Sequence, residues 1–456
     1  MDKNRRRFQY LATISVNWMT FVGTTGYAWT SPYIPKLSIA SEENPLSKPI
    51  TVIENSWITS LFSVGCICGP IIAGVFVDKL GKKKTLILLH TPIMISNVML
   101  IFANSLEEFY ISRFLLGVGS GCVYSVIPTY VAEICDKDIR GAMSMISSVV
   151  LIISISSVVI MGPYLSISTF SIICLIPSIL FLLTFGPFIP ESPYDLVLRG
   201  KLVEAKMSLS KFRQTTDVQK EFFEIVSSIE ETRQNVSFKD MMQSKVIVKS
   251  LLITLGLLFF QQFSGSSAIV AYQQTIFDST DSAISGGVSV IIVSVVQLIP
   301  ALIASYLIDK LGRKKLLLIS QMGMITSLGC IGTYFHLQVK NYDLNSISWL
   351  PLISLLAYMV FYRFGLSPIP YTIVGEIFPV HIKAKLSASV IVIMFMFCLW
   401  VTFAFPFMFD RFGTAWTFWI FAIIGVASCI FIKVIVPETK GKTFSEIQIM
   451  LGEGKK

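Results

Sequence analysis

Long apolar runs alternate with short polar segments along the whole chain, and this pattern predicts a membrane protein. A helix that crosses the hydrocarbon core of a bilayer needs about 20 mostly apolar residues. Twelve runs approach or exceed that length, six before and six after a polar insert at residues 190–246. They cover residues 9–35, 56–77, 85–104, 109–134, 142–163 and 168–189 before the insert, and residues 247–276, 284–308, 315–337, 346–374, 386–409 and 414–436 after it. We therefore expect an all-α integral membrane protein with twelve transmembrane helices.

The polar insert divides the chain into three predicted parts. Its sequence has the pattern of amphipathic helices, as in Leu202–Lys206 and Phe222–Val226, which indicates a helical linker outside the membrane. We expect an N-terminal six-helix bundle at residues 1–189, the linker at 190–246, and a C-terminal six-helix bundle with a short tail at 247–456.

Charge predicts the orientation of the helices. Lysine and arginine cluster in alternate loops, and such basic loops remain in the cytoplasm, so both termini and the insert are predicted to be cytoplasmic. The net charge of +9 comes from these loops, so it indicates membrane topology and not a nucleic-acid partner. With 53% hydrophobic and 14% charged residues, the chain has too few polar groups to cover a water-facing surface.

The sequence shows no constellation for catalysis or metal binding. The eight cysteines lie in or at the ends of apolar runs without metal-ligand spacing, and the three histidines form no nucleophile–base arrangement. A phosphate-binding loop of the Walker type is also absent from the sequence. We therefore expect no enzymatic activity, no cofactor and no metal.

Three short motifs of the first half recur in the same order in the second half, each at a predicted cytoplasmic helix end. They are Asp78–Lys84 and Asp309–Lys315, Ala132–Ile134 and Gly375–Ile377, and Pro190–Ser192 and Pro437–Thr439. Three ordered recurrences are improbable by chance, so the halves are predicted to be homologous six-helix repeats.

These motifs and several others resemble the sugar porter family of the major facilitator superfamily, specifically its animal glucose- and trehalose-transporter-like branch. The resemblance covers almost the whole chain and implies that a sugar, a hexose or trehalose, crosses the membrane by alternating access around a central site. The segments that carry it, besides Asp78–Lys82, are Arg113–Gly121, Pro128–Ile134, Arg140–Gly141, Pro190–Pro193, Gln261–Gly265, Pro368–Pro370, Gly375–Pro379 and Pro437–Gly441.

The charged residues of the repeated motifs are expected to form a cytoplasmic gate. Acid–base pairs would hold the helix ends of one half together while the transporter faces outward, and they would separate when it rocks inward. Ordinary positive-inside loops are the alternative, which would explain the lysines and arginines but not the repeated Asp, Gly and Glu. The candidate gate residues are Asp78, Gly81, Lys82, Glu133, Arg140 and Glu191 in the first repeat, and Asp309, Gly312, Arg313, Glu376, Lys383 and Glu438 in the second.

The resemblance also implies that Gln261 and Gln262, on the seventh predicted helix, hydrogen-bond sugar hydroxyls. An amide offers both donors and acceptors, which suits a polyol, whereas hydrogen bonding between helices is the alternative for such residues. The family pattern is altered at several other positions where we expect substrate contacts: Ser148 and Ser267 replace amides, Gln297 replaces an Asn, Tyr371 replaces a Trp, and Trp400 lies about one turn beyond a lost Asn-Trp pair.

An arginine, Arg363, is predicted to lie about midway along the tenth helix, before the Pro368–Pro370 break. An arginine at membrane depth costs roughly 2.5–3.5 kcal/mol on insertion scales, so it indicates a function. It would attract an anionic or highly hydroxylated ligand if it faces a cavity. Otherwise it would extend to the membrane surface or pair with a carbonyl that the prolines leave free.

The first predicted helix contains no Asp or Glu between Phe8 and Pro35, whereas proton-coupled relatives carry an acid there. We therefore expect uniport, down the gradient, by a chain that functions as a monomer in the plasma membrane. The partners expected are a small-molecule sugar and the lipid bilayer. The alternatives are a carrier of another polyol or organic solute and a non-transporting sugar sensor.

Overall fold

The computed structural model describes residues 6–41, 44–136, 138–232, 245–280, 284–378, 380–442 and 444–452. These residues form helices, turns and loops and contain no β-strand, which confirms the all-α prediction. The helices before and within the insert are α1 (Arg7–Ala28), α2 (Thr30–Leu37), α3 (Val52–Leu80), α4 (Lys82–Phe102), α5 (Leu106–Ile134), α6 (Arg140–Met161), α7 (Ile167–Phe188), α8 (Pro193–Leu198), α9 (Leu202–Arg213) and α10 (Gln219–Thr232).

The chain after the insert contains three helices that are interrupted within the membrane. The seventh crossing is divided into three pieces, the eighth into two, and the tenth has a π-helical turn at Tyr362–Leu366. The helices are α11 (Lys245–Phe263), α12 (Ser266–Ala271), α13 (Gln273–Asp278), α14 (Gly286–Val296), α15 (Leu298–Leu311), α16 (Arg313–Val339), α17 (Leu350–Phe361), α18 (Ile369–Ile377), α19 (Val380–Arg411), α20 (Thr414–Val434) and α21 (Phe444–Gly452).

The twelve predicted crossings are confirmed. Within the described residues, ten helical segments are long and apolar enough to cross a membrane as single spans. The other two crossings are the first, which contains α1, and the eighth, which consists of α14 and α15 and is interrupted at Gln297. The first of these is rich in Ser, Thr, Asn and Gln, and the second is interrupted, so neither reaches the hydropathy or length of an unbroken span.

The described helices group into two units. The first contains the chain up to Ala28 and from Leu61 through the insert, and the second contains Trp29–Ser60 and the chain that follows the insert. In the second unit α2 is bonded to the broken seventh crossing, because the Thr30 hydroxyl donates to the carbonyl of Ala271 over 2.9 Å. The predicted boundaries at residues 189 and 246 stay a prediction.

In the first unit, α3 and α5 pack with their backbones in contact. Gly65 and Gly69 of α3 face Gly117 and Gly121 of α5. A Cβ atom on Gly65 would lie against the Phe114 carbonyl oxygen and 2.7 Å from the Cα of Gly117. Each helix therefore presents two glycines four residues apart, which is the spacing that lets membrane helices approach most closely.

Arg213 links the insert to the end of α5. Helices α8, α9 and α10 share a small apolar core. Arg213, the last residue of α9, pairs through Nε with Asp136 at 2.7 Å and through Nη2 with Glu221 at 2.7 Å. Its Nη1 also donates to the carbonyl of Ile134 over 2.8 Å. This guanidinium therefore connects α9, α10 and the end of α5.

We expect Arg213→Met to lower the free energy of unfolding by about 2 kcal/mol, less than for a fully buried pair because Asp136 and Glu221 are partly exposed. The midpoint of thermal unfolding in detergent and the rate of proteolysis in the insert would measure it. Lys201→Met is the matched control, because it removes an exposed pair with Glu204 and is expected to change stability by less than about 0.5 kcal/mol. Equal effects of the two variants would contradict the anchoring role of Arg213.

Candidate functional site

The seventh crossing is broken next to the predicted glutamine pair. Gly265 separates α11 from α12 and has a φ of +88°, a left-handed conformation that favours glycine. A side chain there would also collide with Phe421, whose ring lies 2.6 Å from the position of a Cβ atom. The break places Gln261, Gln262 and Ser267 on either side of one turn, and all three are buried.

Gln261 supports the neighbouring broken helix through its amide nitrogen. Nε2 donates to the carbonyls of Leu366 and Ser367 over 2.8 and 3.1 Å. In an α-helix the Leu366 carbonyl would accept from residue 370, which is a proline and has no N–H. Gln261 therefore forms hydrogen bonds between helices, which is the alternative predicted from the sequence for this glutamine.

The oxygens of this group remain available as acceptors. Within the described residues, Oε1 of Gln261, Oε1 of Gln262 and Oγ of Ser267 are buried and have no hydrogen-bond partner. A buried polar atom without a partner costs about 1–3 kcal/mol. A ligand hydroxyl that donates to these oxygens would remove that cost, so the group suits a polyhydroxylated solute.

Gln297 and Arg363 meet in the second unit. Gln297 lies at the break between α14 and α15, and its Oε1 accepts from Nε of Arg363 over 3.2 Å. Nη1 of Arg363 lies 3.5 Å from the Ser367 hydroxyl. Because Gln261 donates to the carbonyl of that serine, Ser367 connects the arginine to the glutamine pair. Sequence reasoning missed Ser367, although its position directly before the Pro-x-Pro motif was a usable signal.

The other predicted substrate residues lie outside this buried group. Tyr371 on α18 is 44% exposed and Trp400 on α19 is 69% exposed. Ser148 belongs to the first unit, where it is exposed on α6. Their roles in substrate binding stay predictions.

Lysine and glutamate from the repeated motifs form an ion pair at the predicted cytoplasmic end of the first unit. Nζ of Lys82 lies 2.6 Å from Glu133 and 3.0 Å from Asp195, and the Lys82 backbone N–H also donates to Asp195. The Ser192 hydroxyl donates to the second oxygen of Glu133 over 2.5 Å. The Lys83 backbone N–H donates to Glu191 over 2.9 Å. The ends of α4, α5 and α8 are thereby joined.

The second unit repeats this arrangement with the corresponding residues. Nη2 of Arg313 lies 2.7 Å from Glu376, and the Thr439 hydroxyl donates to the same carboxylate over 2.6 Å. Glu438 accepts from the backbone N–H groups of Arg313 and Lys314 over 2.9 and 3.0 Å. The predicted sequence repeat therefore corresponds to two similar hydrogen-bonded networks, one in each unit.

The turns of the two networks require glycine, but their glutamates differ in acidity. Gly81 and Gly312 have φ values of +88° and +86°, and a side chain on either would collide with the glutamate of its network. Burial raises the pKa of Glu191 above its usual value. Burial also opposes ionisation of Glu438, but three backbone N–H donors outweigh it and lower the pKa of that carboxyl.

Some predicted gate residues are not brought into the networks. Asp78 is exposed, and Arg140 has a buried Nε without a partner; neither forms an ion pair with another described residue. The side chains of Asp309 and Lys383 lie outside the described part of the chain. Gate roles for these four residues, as for the rest of the set, stay predictions.

Sequence reasoning missed three members of the networks. The Ser192 and Thr439 hydroxyls directly follow the repeated glutamates, and this equivalence was visible in the motif. Asp195 is buried and has no acidic counterpart in the second repeat, where the corresponding residue is Lys442. The internal repeat therefore gave no signal for Asp195.

Residues 16–451 match the family model described as "Sugar (and other) transporter". The xylose transporter XylE from E. coli, in a partially occluded, inward-open conformation, superimposes with a TM-score of 0.79 and 23% identity over 96% of this chain and 99% of XylE. This likeness supports the major facilitator fold.

Two similar curated relatives carry the name "Facilitated trehalose transporter Tret1". The one from Culex quinquefasciatus is 32% identical over 444 residues, which cover 96% of this chain and 85% of that relative. The one from Aedes aegypti is also 32% identical over 444 residues, but this chain spans only 54% of its length.

Proposed function

This chain belongs to the sugar transporter family, and on that premise we propose that it carries a sugar, a hexose or trehalose, down its concentration gradient by alternating access. Membership of this family makes it a multi-pass membrane transporter and not an enzyme. The observation that carries the substrate class is the buried cluster of acceptors formed by Gln261, Gln262 and Ser267. These oxygens have no hydrogen-bond donor among the described residues, and sugar hydroxyls can donate to them.

Uniport is supported by the surroundings of the first crossing. Arg113 of α5 is buried, and its guanidinium donates to the carbonyl of Gly26 over 2.8 Å and lies 4.9 Å from the centre of the Phe62 ring. A side chain at position 26 would collide with Phe62 and Leu116. An acidic side chain at position 26 therefore does not fit, and the group that Arg113 bonds there is a backbone carbonyl, which does not take up a proton.

Location, orientation and assembly complete the proposal. We place the chain in the plasma membrane as a functional monomer, with both termini and the insert in the cytoplasm. The distribution of lysine and arginine among the loops supports that orientation. The two networks of Lys82 with Glu133 and Arg313 with Glu376 would act as the gate at the cytoplasmic side.

Gln262→Leu is expected to raise the half-saturation concentration for sugar uptake roughly tenfold. The variant removes the Gln262 amide oxygen, so the hydrogen bond that a sugar hydroxyl would donate to it is lost. Gln262 is preferable to Gln261, whose amide also supports the Leu366 and Ser367 carbonyls. The measurement is the initial rate of radiolabelled glucose and trehalose entry into proteoliposomes at two pH values.

Gln321→Leu on α16 is the matched control. Gln321 is also buried, and neither of its amide atoms has a described partner. Both variants therefore remove a buried glutamine amide, and only Gln262→Leu removes one that is assigned to the sugar. We expect wild-type sugar affinity for Gln321→Leu and pH-independent uptake for all three proteins. No saturable entry of either sugar through folded wild-type protein would reject the proposed function.

A further inference from the structure

The backbone around Arg363 is fixed in an unusual conformation. The Ser367 N–H donates to the carbonyl of Tyr362 over 2.9 Å, five residues earlier, which widens the helix into a π-helical turn. Ser320 of α16 secures this turn, because its hydroxyl donates to the Phe361 carbonyl over 2.6 Å and accepts from the Leu366 N–H over 3.1 Å. Such turns insert one extra residue into a helix and are frequent at functional sites.

The positive charge of Arg363 is bonded only to neutral groups among the described residues. Its hydrogen-bond acceptors are the Gln297 amide and the Ser367 hydroxyl, and no described carboxylate lies within 4.0 Å of it. Each nitrogen of Arg363 either has a partner or is accessible. The N–H groups that are not bonded to Gln297 or Ser367 are therefore accessible. A guanidinium presents five donors in a planar fork that matches a carboxylate.

Ser367 links this cation to Gln261, one of the residues assigned to the sugar. Ser367 contacts Arg363 through its hydroxyl and Gln261 through its carbonyl. One side of the group thus offers oxygens that accept from hydroxyls, and the other offers a charged donor without a counter-ion. A solute that fits both carries several hydroxyls and one anionic group.

We propose that Arg363 makes this transporter select sugar acids, such as uronates and aldonates, over neutral sugars. The inference rests on the proposed function and specifies its substrate class. Gln297 is a positioning residue here, since its amide oxygen holds Nε, while Nη1 uses one hydrogen on the Ser367 hydroxyl; Nη2 and the other Nη1 hydrogen are left for a carboxylate. The absence of a described acid beside Arg363 is what leaves this charge available to the solute.

Glucuronate and its uncharged amide, glucuronamide, test this proposal, because they differ in charge but hardly in shape. The full-length protein is reconstituted in proteoliposomes, and each compound competes with uptake of radiolabelled glucose and radiolabelled glucuronate at zero membrane potential. We expect glucuronate to inhibit at a concentration roughly tenfold or more below that of glucuronamide. Glucuronate entry should also respond to an imposed membrane potential, whereas glucose entry should not.

Two variants remove the preference in different ways. Arg363→Met eliminates the charge, and Gln297→Glu supplies a counter-ion while keeping the arginine, so either is expected to bring the two inhibitors within about twofold of each other. If Arg363→Met does not fold, Gln297→Glu still tests the claim. A preference for glucuronate that survives in a folded variant would overturn the role of Arg363.

The remaining outcomes separate this inference from the proposed function. If glucose or trehalose enters but glucuronate inhibits no better than glucuronamide, the sugar-acid inference is wrong and sugar transport stands. If folded wild-type protein takes up none of glucose, trehalose and glucuronate, both are wrong.

Discussion

Lys82→Met is expected to lower the initial rate of sugar uptake roughly tenfold or more, because it leaves the carboxylates of Glu133 and Asp195 close together without their cation. Removing one partner of a buried ion pair costs about 3–5 kcal/mol, and the partial exposure of Glu133 places this case near the lower limit. Lys79→Met is the matched control. Lys79 is exposed at the end of α3, and its loss should leave uptake within about twofold of wild type.

An exchange of charges distinguishes a paired gate from two separately required residues. Lys82→Glu and Glu133→Lys are each expected to lose activity, and combining them should recover a substantial part of it, since the new lysine faces the new glutamate and Asp195. Uptake is measured at equal amounts of reconstituted protein, and thermal unfolding is recorded separately so that misfolding is recognised. A double variant as inactive as the single variants would reject pairing as the function of Lys82.

The second network provides an independent comparison. Arg313 and Glu376 occupy the corresponding positions, with Thr439 in the place of Ser192. The same exchange, Arg313→Glu with Glu376→Arg, should therefore also restore uptake over its single variants. A gate formed by the two repeats together predicts that both exchanges succeed.

Hydropathy was sufficient for the crossings because the membrane sets a minimum length for an apolar helix. The predicted runs at 85–104 and 414–436, for example, correspond to α4 (Lys82–Phe102) and α20 (Thr414–Val434). The internal repeat likewise identified Lys82, Glu133, Arg313 and Glu376 before any geometry was known. Their pairing was predictable because the motifs recur at helix ends that the charge pattern predicts to lie on one side of the membrane.

Interruptions within the helices could not be predicted from pattern alone. The π-helical turn at Tyr362–Leu366 depends on Ser320, which is distant in sequence and donates to and accepts from the turn. The double role of Gln261 similarly depends on where the carbonyls before Pro370 lie in space. Such features arise from tertiary contacts, and a hydropathy pattern contains no information about them.

Gly65→Ala is expected to be among the most destabilising single substitutions in the first unit. Its new methyl group would lie against the Phe114 carbonyl oxygen and 2.7 Å from the backbone N of Val118, so α3 and α5 would have to separate. Overpacking of this kind costs about 3 kcal/mol, because backbone atoms cannot turn aside as a flexible side chain can. We expect a lower midpoint of thermal unfolding in detergent and a smaller yield of folded protein.

Gly74→Ala, on the same helix, is the matched control. A Cβ atom there has no neighbour within 4 Å, so the variant should be as stable as wild type or up to about 1 kcal/mol more stable through its higher helix propensity. Equal unfolding midpoints for the two variants would show that α3 and α5 do not touch at Gly65. The contact matters for function because α3 ends directly before Gly81 and Lys82, and α5 carries Glu133. Separating the helices at Gly65 is therefore expected to weaken the Lys82–Glu133 pair. Uptake should then be lower than wild type even when equal amounts of folded protein are compared.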